Sequence, residues 1–303
     1  MDAPVQALTG AMARPKVSVI VPHYNDPTRL DHCLAALERQ SLPREAFEIV
    51  VADNASPQGR AALEDIIAGR AVLTIVAEAG AGLARNGGVA ASRGGILAFT
   101  DCDCLPSPAW LEAGLSALSE ADFVGGAMAV TIERPGRPTA VEAFETVFAF
   151  DNERYVRRKG FSVTANLFCR REVFDAVGPF RTGVSEDTEW AHRALRLGYS
   201  IGYAPAALVA HPARRNWPEL AAKWRRIQAE SYGLAAESPA GRLVWGLRTL
   251  VLPVSAVVHG LRVLTTPRLA GGRQRLGALM VLWRLRLWRT WDSVVLLTGS
   301  RRP

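Results

Sequence analysis

The feature that most constrains this chain is a switch between two hydrophobic periods, repeated along its first half. VSVIVPHY (17–24) is a short β-branched run ended by proline, as expected of a strand buried on both faces of a parallel sheet. Leu30, Cys33, Leu34 and Leu37 then recur at helical spacing behind Asp26-Pro27, an N-cap and a first-turn proline. FEIVVAD (47–53), a helix ending in LEDIIAG (63–69), AVLTIVA (71–77), the small-residue segment GLARNGGVAASRGG (82–95), GILAFTD (95–101) and WLEAGLSAL (110–118) continue the pattern. Such β-α alternation predicts a mostly parallel, Rossmann-like sheet flanked by helices, with right-handed crossovers. Ligands of open α/β sheets bind outside the carboxyl ends of the strands. Asn25, Asp53 and Asp101 to Asp103 all fall at such ends.

Further strands are expected at 123–132 and 201–212, an amphipathic helix over 138–158, and a helix over SEDTEWAHRALRLG (185–198) with Ser185 as N-cap and Gly198 as C-cap. The 303 residues divide into a loose tail over 1–15, an α/β domain over 16–213, and a helical extension over 214–303. Charge supports that division. Residues 214–303 hold 16 Arg and Lys against 4 Asp and Glu, and the rest of the chain holds 20 against 25. Six of the eight tryptophans also lie in the extension, and Trp mixed with Arg suits a membrane interface better than nucleic acid. TLVLPVSAVVHGL (249–261) is too short to span a bilayer. LMVLWRLRLWRTW (279–291) reads either as an interfacial helix or as half of a hairpin packed on the body. Four scattered cysteines offer neither a disulfide framework nor zinc spacing, and Gln6, Thr9 and Gly10 interrupt any signal-like run. A cytoplasmic protein, peripheral on the cytoplasmic face of a membrane, is expected.

The chemistry concentrates in AFTDCDCLPSP (98–108). On an extended strand Asp101 and Asp103 point to one side and Cys102 to the other. Two carboxylates on one side favour a hard cation such as Mg2+ or Mn2+ over thiolate binding. An acidic turn before proline is the other reading. Glu186-Asp187 opens a helix, where the dipole favours carboxylates whatever their role.

PHYND (22–26), VVADNASP (50–57), GLARNGG (82–88), TDCDC (100–104) and SEDTEW (185–190), in this order and spacing, resemble the family 2 glycosyltransferases with a GT-A fold. The resemblance covers residues 17 to about 212. It implies inverting transfer of a sugar from a nucleotide-diphosphate donor to the hydroxyl of a saccharide or lipid-linked acceptor, with Mg2+ or Mn2+, in polysaccharide or glycolipid assembly. By position, Pro22, Tyr24 and Asn25 would line the nucleotide and Asp53 would hold its base or ribose. Arg85 and Asn86 would lie beside the nucleotide sugar. Asp103 would ligate the metal, with Asp101 near the metal or the ribose and His211 a third ligand. Asp187 resembles the catalytic base, with Glu186 orienting base or acceptor. ADNAS stands where the family often shows DDGS, which leaves the nucleotide base open. Trp190 fits the core better than an acceptor platform, and Arg170 and Arg171 either reach an acceptor phosphate or cap a helix.

Two enzyme classes are excluded by the loop after the first strand. A nucleotidyltransferase would carry a glycine-rich GxGxR-type loop there and a dinucleotide dehydrogenase GxGxxG, where this chain has PHYND. The alternative from another class is a non-catalytic, membrane-associated scaffold or nucleotide-sugar-binding protein that kept the fold.

Overall fold

A computed structural model describes residues 15–134 and 136–299. The expected tail falls almost wholly outside them. The eight strands are β1 Val17–His23, β2 Phe47–Asp53, β3 Val72–Ile75, β4 Ile96–Phe99, β5 Leu105–Pro106, β6 Phe123–Thr131, β7 Leu167–Arg170 and β8 Ile201–Pro212. They form one sheet in the order β3-β2-β1-β4-β7-β6-β8-β5. β1 pairs in parallel with β2 and β4, β2 with β3, and β6 with β8. β7 runs antiparallel between β4 and β6, and β5 antiparallel to β8.

The helices are α1 Pro27–Glu38, α2 Gly59–Ile67, α3 Ala81–Ala90, α4 Trp110–Ala117, α5 Ala140–Phe148, the single turn α6 Asn152–Arg154, α7 Arg171–Val177, α8 Glu186–Arg196, α9 Trp217–Ala236, α10 Pro239–Thr265 and α11 Gly272–Leu297. Asp26 caps α1 as expected, accepting a hydrogen bond from the Arg29 backbone N–H at 3.2 Å. One apolar cluster under the sheet joins β1 and β2 to α1, α2 and α4. A second, on the other face, packs Phe99, Phe123, Phe174 and Phe180 around Trp190. Trp190 is fully buried, with Nε1 donating to the Gly178 carbonyl at 3.0 Å; its core role is settled by that bond. Arg170 and Arg171 donate to the Leu118 and Gly94 carbonyls and tie loops together.

The helix expected over 138–158 is broken. α5 ends at Phe148, Phe150 takes a positive φ of 52°, and α6 runs into a π-helical turn over Tyr155–Lys159. A left-handed phenylalanine is unusual, and here the Phe150 ring packs on His211 with centroids 4.6 Å apart while Lys223 Nζ lies 5.0 Å over it. Periodicity alone carries no sign of such a break, because residues on both sides remain apolar at helical spacing.

α3 lies close against the sheet because Gly88 has no side chain. A Cβ there would meet Ile20 Cγ2 at 2.6 Å and Ala52 Cβ at 3.3 Å, both in fully buried residues. Helix propensity alone would favour Gly88→Ala by about 0.8–1.0 kcal/mol, but overpacking a full core costs about 1–3 kcal/mol. Packing should win, and the urea midpoint of the variant should fall at unchanged m-value.

Candidate active site

Three loops meet at the carboxyl ends of β1, β2 and β4, and α3 and α8 close over them. Asp101 to Cys104 do not continue the strand. The Cys104 N–H donates to the Asp101 carbonyl at 3.0 Å, so this segment is a turn, and the alternation expected of a pleat does not apply. The turn sends its two carboxylates to different partners.

Asp101 meets Arg85, whose Nη2 donates to Oδ1 at 2.5 Å. The Nη1 of the same guanidinium donates to Glu186 Oε1. Arg85 is only 4% exposed, so one buried cation on α3 links the β4 turn to the first turn of α8. Burial opposes its charge, yet Asp101 and Glu186 outweigh burial and hold the guanidinium above its ordinary range. Asp101 is also desolvated, but Arg85 keeps its carboxyl below the usual range. At Glu186 burial wins over Arg85 and the carboxyl is raised.

Asn86 carries out the same kind of linking. Its Nδ2 donates to the Phe180 carbonyl and its Oδ1 accepts from the Phe180 N–H, both at 2.9 Å. Both prongs of the amide are engaged, and Asn86 clamps the loop that leads into α8. Asp53 is also engaged within the protein. It is 1% exposed, and its carboxylate accepts from His23 Nδ1 at 2.8 Å and from the Ser56 N–H at 2.8 Å and hydroxyl. His23 Nε2 in turn accepts from the Asp26 N–H, which places the ring proton on Nδ1. Asp53 thus organises the loop that follows β2 from beneath, through His23 and Ser56. Pro22 is buried at the end of β1, Tyr24 is 61% exposed, and Asn25 adopts a positive φ of 49° with its N–H donating to Ser56 Oγ.

Asp103 faces His211. Its Oδ2 lies 3.3 Å from His211 Nε2, and Cys104 Sγ completes a group within 4.8 Å. His211 Nδ1 lies 2.7 Å from the Pro212 carbonyl, which can only accept. The ring proton therefore belongs on Nδ1, and in the neutral ring Nε2 turns a lone pair toward the carboxylate. Burial pushes His211 below its ordinary range, with Asp103 opposing. A lone pair and a carboxylate oxygen in apposition, with the far ring nitrogen tied to a carbonyl, are a donor set that fits Mn2+ or a similar divalent cation. Burial pushes the Cys104 thiol well up, so it remains S–H and lies 3.8 Å from Asp103 Oδ1 as a weak donor.

Asp187 sits in the first turn of α8, at the positive end of its dipole. Its Oδ1 accepts from the Thr188 N–H at 2.7 Å and from the hydroxyls of Ser185 at 2.9 Å and Thr188 at 3.3 Å. Ser185 thus turns its hydroxyl to Asp187 instead of capping the helix. Oδ2 accepts no hydrogen bond among the described residues and is not sealed from solvent. Burial raises the Asp187 carboxyl above its ordinary range against those three donors.

Two residues of the expected extension also enter the crevice. Arg214 Nη1 is 3.9 Å from Asp103 Oδ2. Glu230 of α9 lies beside the Glu186-Asp187 pair, and burial pushes its carboxyl up to about 7, with Arg226 at 3.7 Å opposing. Arg214 was hidden in the sequence by its place in a basic tail, three residues after His211.

A Rossmann-like sheet with β7 reversed, a carboxylate-bearing turn after β4 and an acidic pair opening α8 together define a GT-A fold. Residues 18–183 match the family described as Glycosyl transferase family 2, and the chain belongs to that family. It is 35% identical over 208 residues to the glycosyltransferase AglE of Haloferax volcanii, covering 66% of this chain and 68% of AglE. It is 29% identical over 220 residues to the probable glycosyltransferase YdaM of Bacillus subtilis, covering 67% of this chain but only 52% of YdaM. Among solved structures, the mannosyltransferase PcManGT from Pyrobaculum calidifontis, in complex with GDP-Man and Mn2+, shares the fold at a TM-score of 0.57 and 22% identity over 95% of this chain and 86% of its own. S. aureus TarS in complex with UDP aligns at a TM-score of 0.50 and 21% identity, covering 71% of this chain and 65% of TarS 1-349.

Proposed function

We propose that this protein is an inverting, metal-dependent glycosyltransferase that moves a sugar from a nucleotide diphosphate to the hydroxyl of a saccharide or lipid-linked acceptor. The observation that carries this reading is the division of the crevice: Asp103 with His211 on one side, Asp187 with an open oxygen on the other. Family membership and the GDP-Man, UDP and Mn2+ held by proteins of the same fold support it.

In this reading Asp187 Oδ2 takes the proton of the acceptor hydroxyl. The oxygen forms its bond to the sugar C1 from the face opposite the diphosphate, and the departing C1–O pair goes to the phosphate oxygen. Asp103 and His211 would hold a divalent cation, which when bound would supply Lewis-acid stabilisation of the departing diphosphate. Arg214 adds a positive charge beside Asp103, where negative charge develops. Arg85 keeps Asp101 ionised and places Glu186 next to the base.

A thermal-shift screen of nucleotide diphosphates and their sugars with Mn2+ tests the reading and identifies the base. No Mn2+-dependent shift with any nucleotide would refute it. Asp103→Asn and His211→Ala should each weaken Mn2+ binding by titration calorimetry in the presence of the identified nucleotide, by more than the roughly 10–100-fold that loss of an outer-shell partner costs.

We assign the protein to the cytoplasmic face of a membrane, in the assembly of a polysaccharide or glycolipid. Leu247, Leu250, Val254, Val257, Leu261 and Leu264 make a continuous exposed stripe on α10, and Leu276, Met280, Trp283, Leu287, Trp291 and Val294 another on α11. The 13-residue apolar run read as too short to span a bilayer lies within the 27-residue α10, which is long and apolar enough to cross one by length and composition: its best 18-residue window has a mean hydropathy of 1.5 and is 28% buried. α10 also packs along α11, and α11 joins an apolar cluster with α5. These contacts favour helices lying on a membrane over one crossing it.

A further inference from the structure

Between α10, α11 and the segment from Phe148 to Lys159 lies an open cavity of about 610 Å3. Arg154, Lys159, Arg248, Arg262, Arg286 and Arg289 line it. The one carboxylate in its wall, Asp151, pairs with Arg262 at 3.8 Å. Arg289 Nε donates to Gln228 Oε1 at 2.9 Å, and Asp292 offsets its charge from behind. Arg154, Lys159, Arg248 and Arg286 form no ion pair among the described residues. Arg286 Nε is sealed from solvent and donates to nothing.

Burial pushes Arg248 and Arg286 below their ordinary range, and at Arg286 the charge of Arg248 adds to the effect. Like charges held partly out of water repel one another more strongly than in bulk solvent. A multiply charged anion removes that cost, and guanidinium forks match phosphate oxygens two at a time. The rim is apolar. Val244, Leu247 and Val251 line the same cavity, are 62%, 56% and 59% exposed, and merge with the stripe on α10. A soluble phosphate gains nothing from that rim, whereas an amphiphile uses both parts.

We propose that this cavity holds the phosphate headgroup of a membrane lipid, with the lipid chain lying along the apolar face of α10. The proposal rests on the membrane assignment above but on no part of the transfer chemistry. Tyr155 lines the cavity as well, beside Lys159.

The test is co-sedimentation of the full chain with phosphatidylcholine vesicles, with and without phosphatidic acid, at physiological ionic strength. Phosphatidic acid should tighten binding about tenfold or more. The Arg248→Gln/Arg286→Gln variant should lose that gain, while Arg273→Gln, on α11 outside the cavity, should lose less than about fivefold, the worth of one cation near a charged surface. Arg286→Gln alone should melt no lower than the parent, since it removes a repulsive charge. Equal binding to both vesicles, an equal loss in Arg273→Gln, or a lowered melting temperature in Arg286→Gln would each overturn the proposal. So would inorganic phosphate alone raising the melting temperature as much as phosphatidic acid vesicles do. Because the readouts need neither nucleotide nor metal, their failure would leave the transferase reading standing, and a failed nucleotide screen would leave this site standing.

Discussion

Asp187→Asn should lower transfer by about 10²–10⁴-fold, the usual worth of a positioned general base, with little change in the affinity for donor. The amide oxygen can replace Oδ1 toward Thr188 and Ser185, so the first turn of α8 has no reason to unfold. What the variant lacks is the second oxygen with a free lone pair. Stability separates this outcome from misfolding. Burial raises the Asp187 carboxyl in the folded protein, so the folded state binds the proton more tightly than the unfolded one. The resulting stability is fully present below the unfolded value of about 3.9 and is lost as pH rises through the folded value. Asparagine does not titrate there. The variant should therefore melt at or above the parent temperature at pH 8 while being nearly inactive, and the acid limb of the parent pH–rate profile should vanish with it. A variant that keeps more than about a tenth of parental activity under these conditions would remove Asp187 from the role of base.

The outline of the site is readable because strand ends and helix starts announce themselves. β1, β2 and β4 end where their apolar runs meet His23, Asp53 and Asp101, and α8 begins at an acidic cluster after a serine. What one sequence does not carry is the partner of each polar group. Asp53 and Asn86 are engaged inside the protein, by His23 and Ser56 and by Phe180. A buried carboxylate at a strand end looks the same in sequence whether it faces a ligand or a histidine thirty residues away. Likewise β7 is only four residues long and is fixed by pairing on both edges, and the break at Phe150 depends on a ring packing against His211. Long-range pairing decides each of these, and no local period reports it. For the same reason no local period reports that Arg214 and Glu230 reach the crevice from the basic extension.

Arg85→Ala should be the most destabilising change in the crevice. Among the described residues the guanidinium is the one group that pairs with both Asp101 and Glu186, and without it two partly buried carboxylates, with Asp187 close by, would face one another uncompensated. Removing one partner of a buried ion pair leaves the other charge uncompensated and costs about 3–5 kcal/mol. Lysine cannot repair this, because a single ammonium lacks the planar fork that reaches two acceptors at once. The loss should depend on pH. Freed of Arg85, both carboxyls would titrate higher in the folded state than in the unfolded, so their cost is absent below about pH 4 and grows as pH rises through the folded values. Urea unfolding should accordingly show a larger deficit at pH 8 than at pH 5. A deficit under about 1 kcal/mol, equal at the two pH values, would mean that Arg85 is only a solvated surface charge. The contrast with Asp187→Asn is informative in itself: one substitution removes chemistry and leaves the frame, the other removes the cation that joins the β4 turn to α8. Arg85 and Asn86 are adjacent on α3 and tie Asp101, Glu186 and Phe180 together, so the GLARNGG segment holds the proposed donor and acceptor sides of the crevice in register.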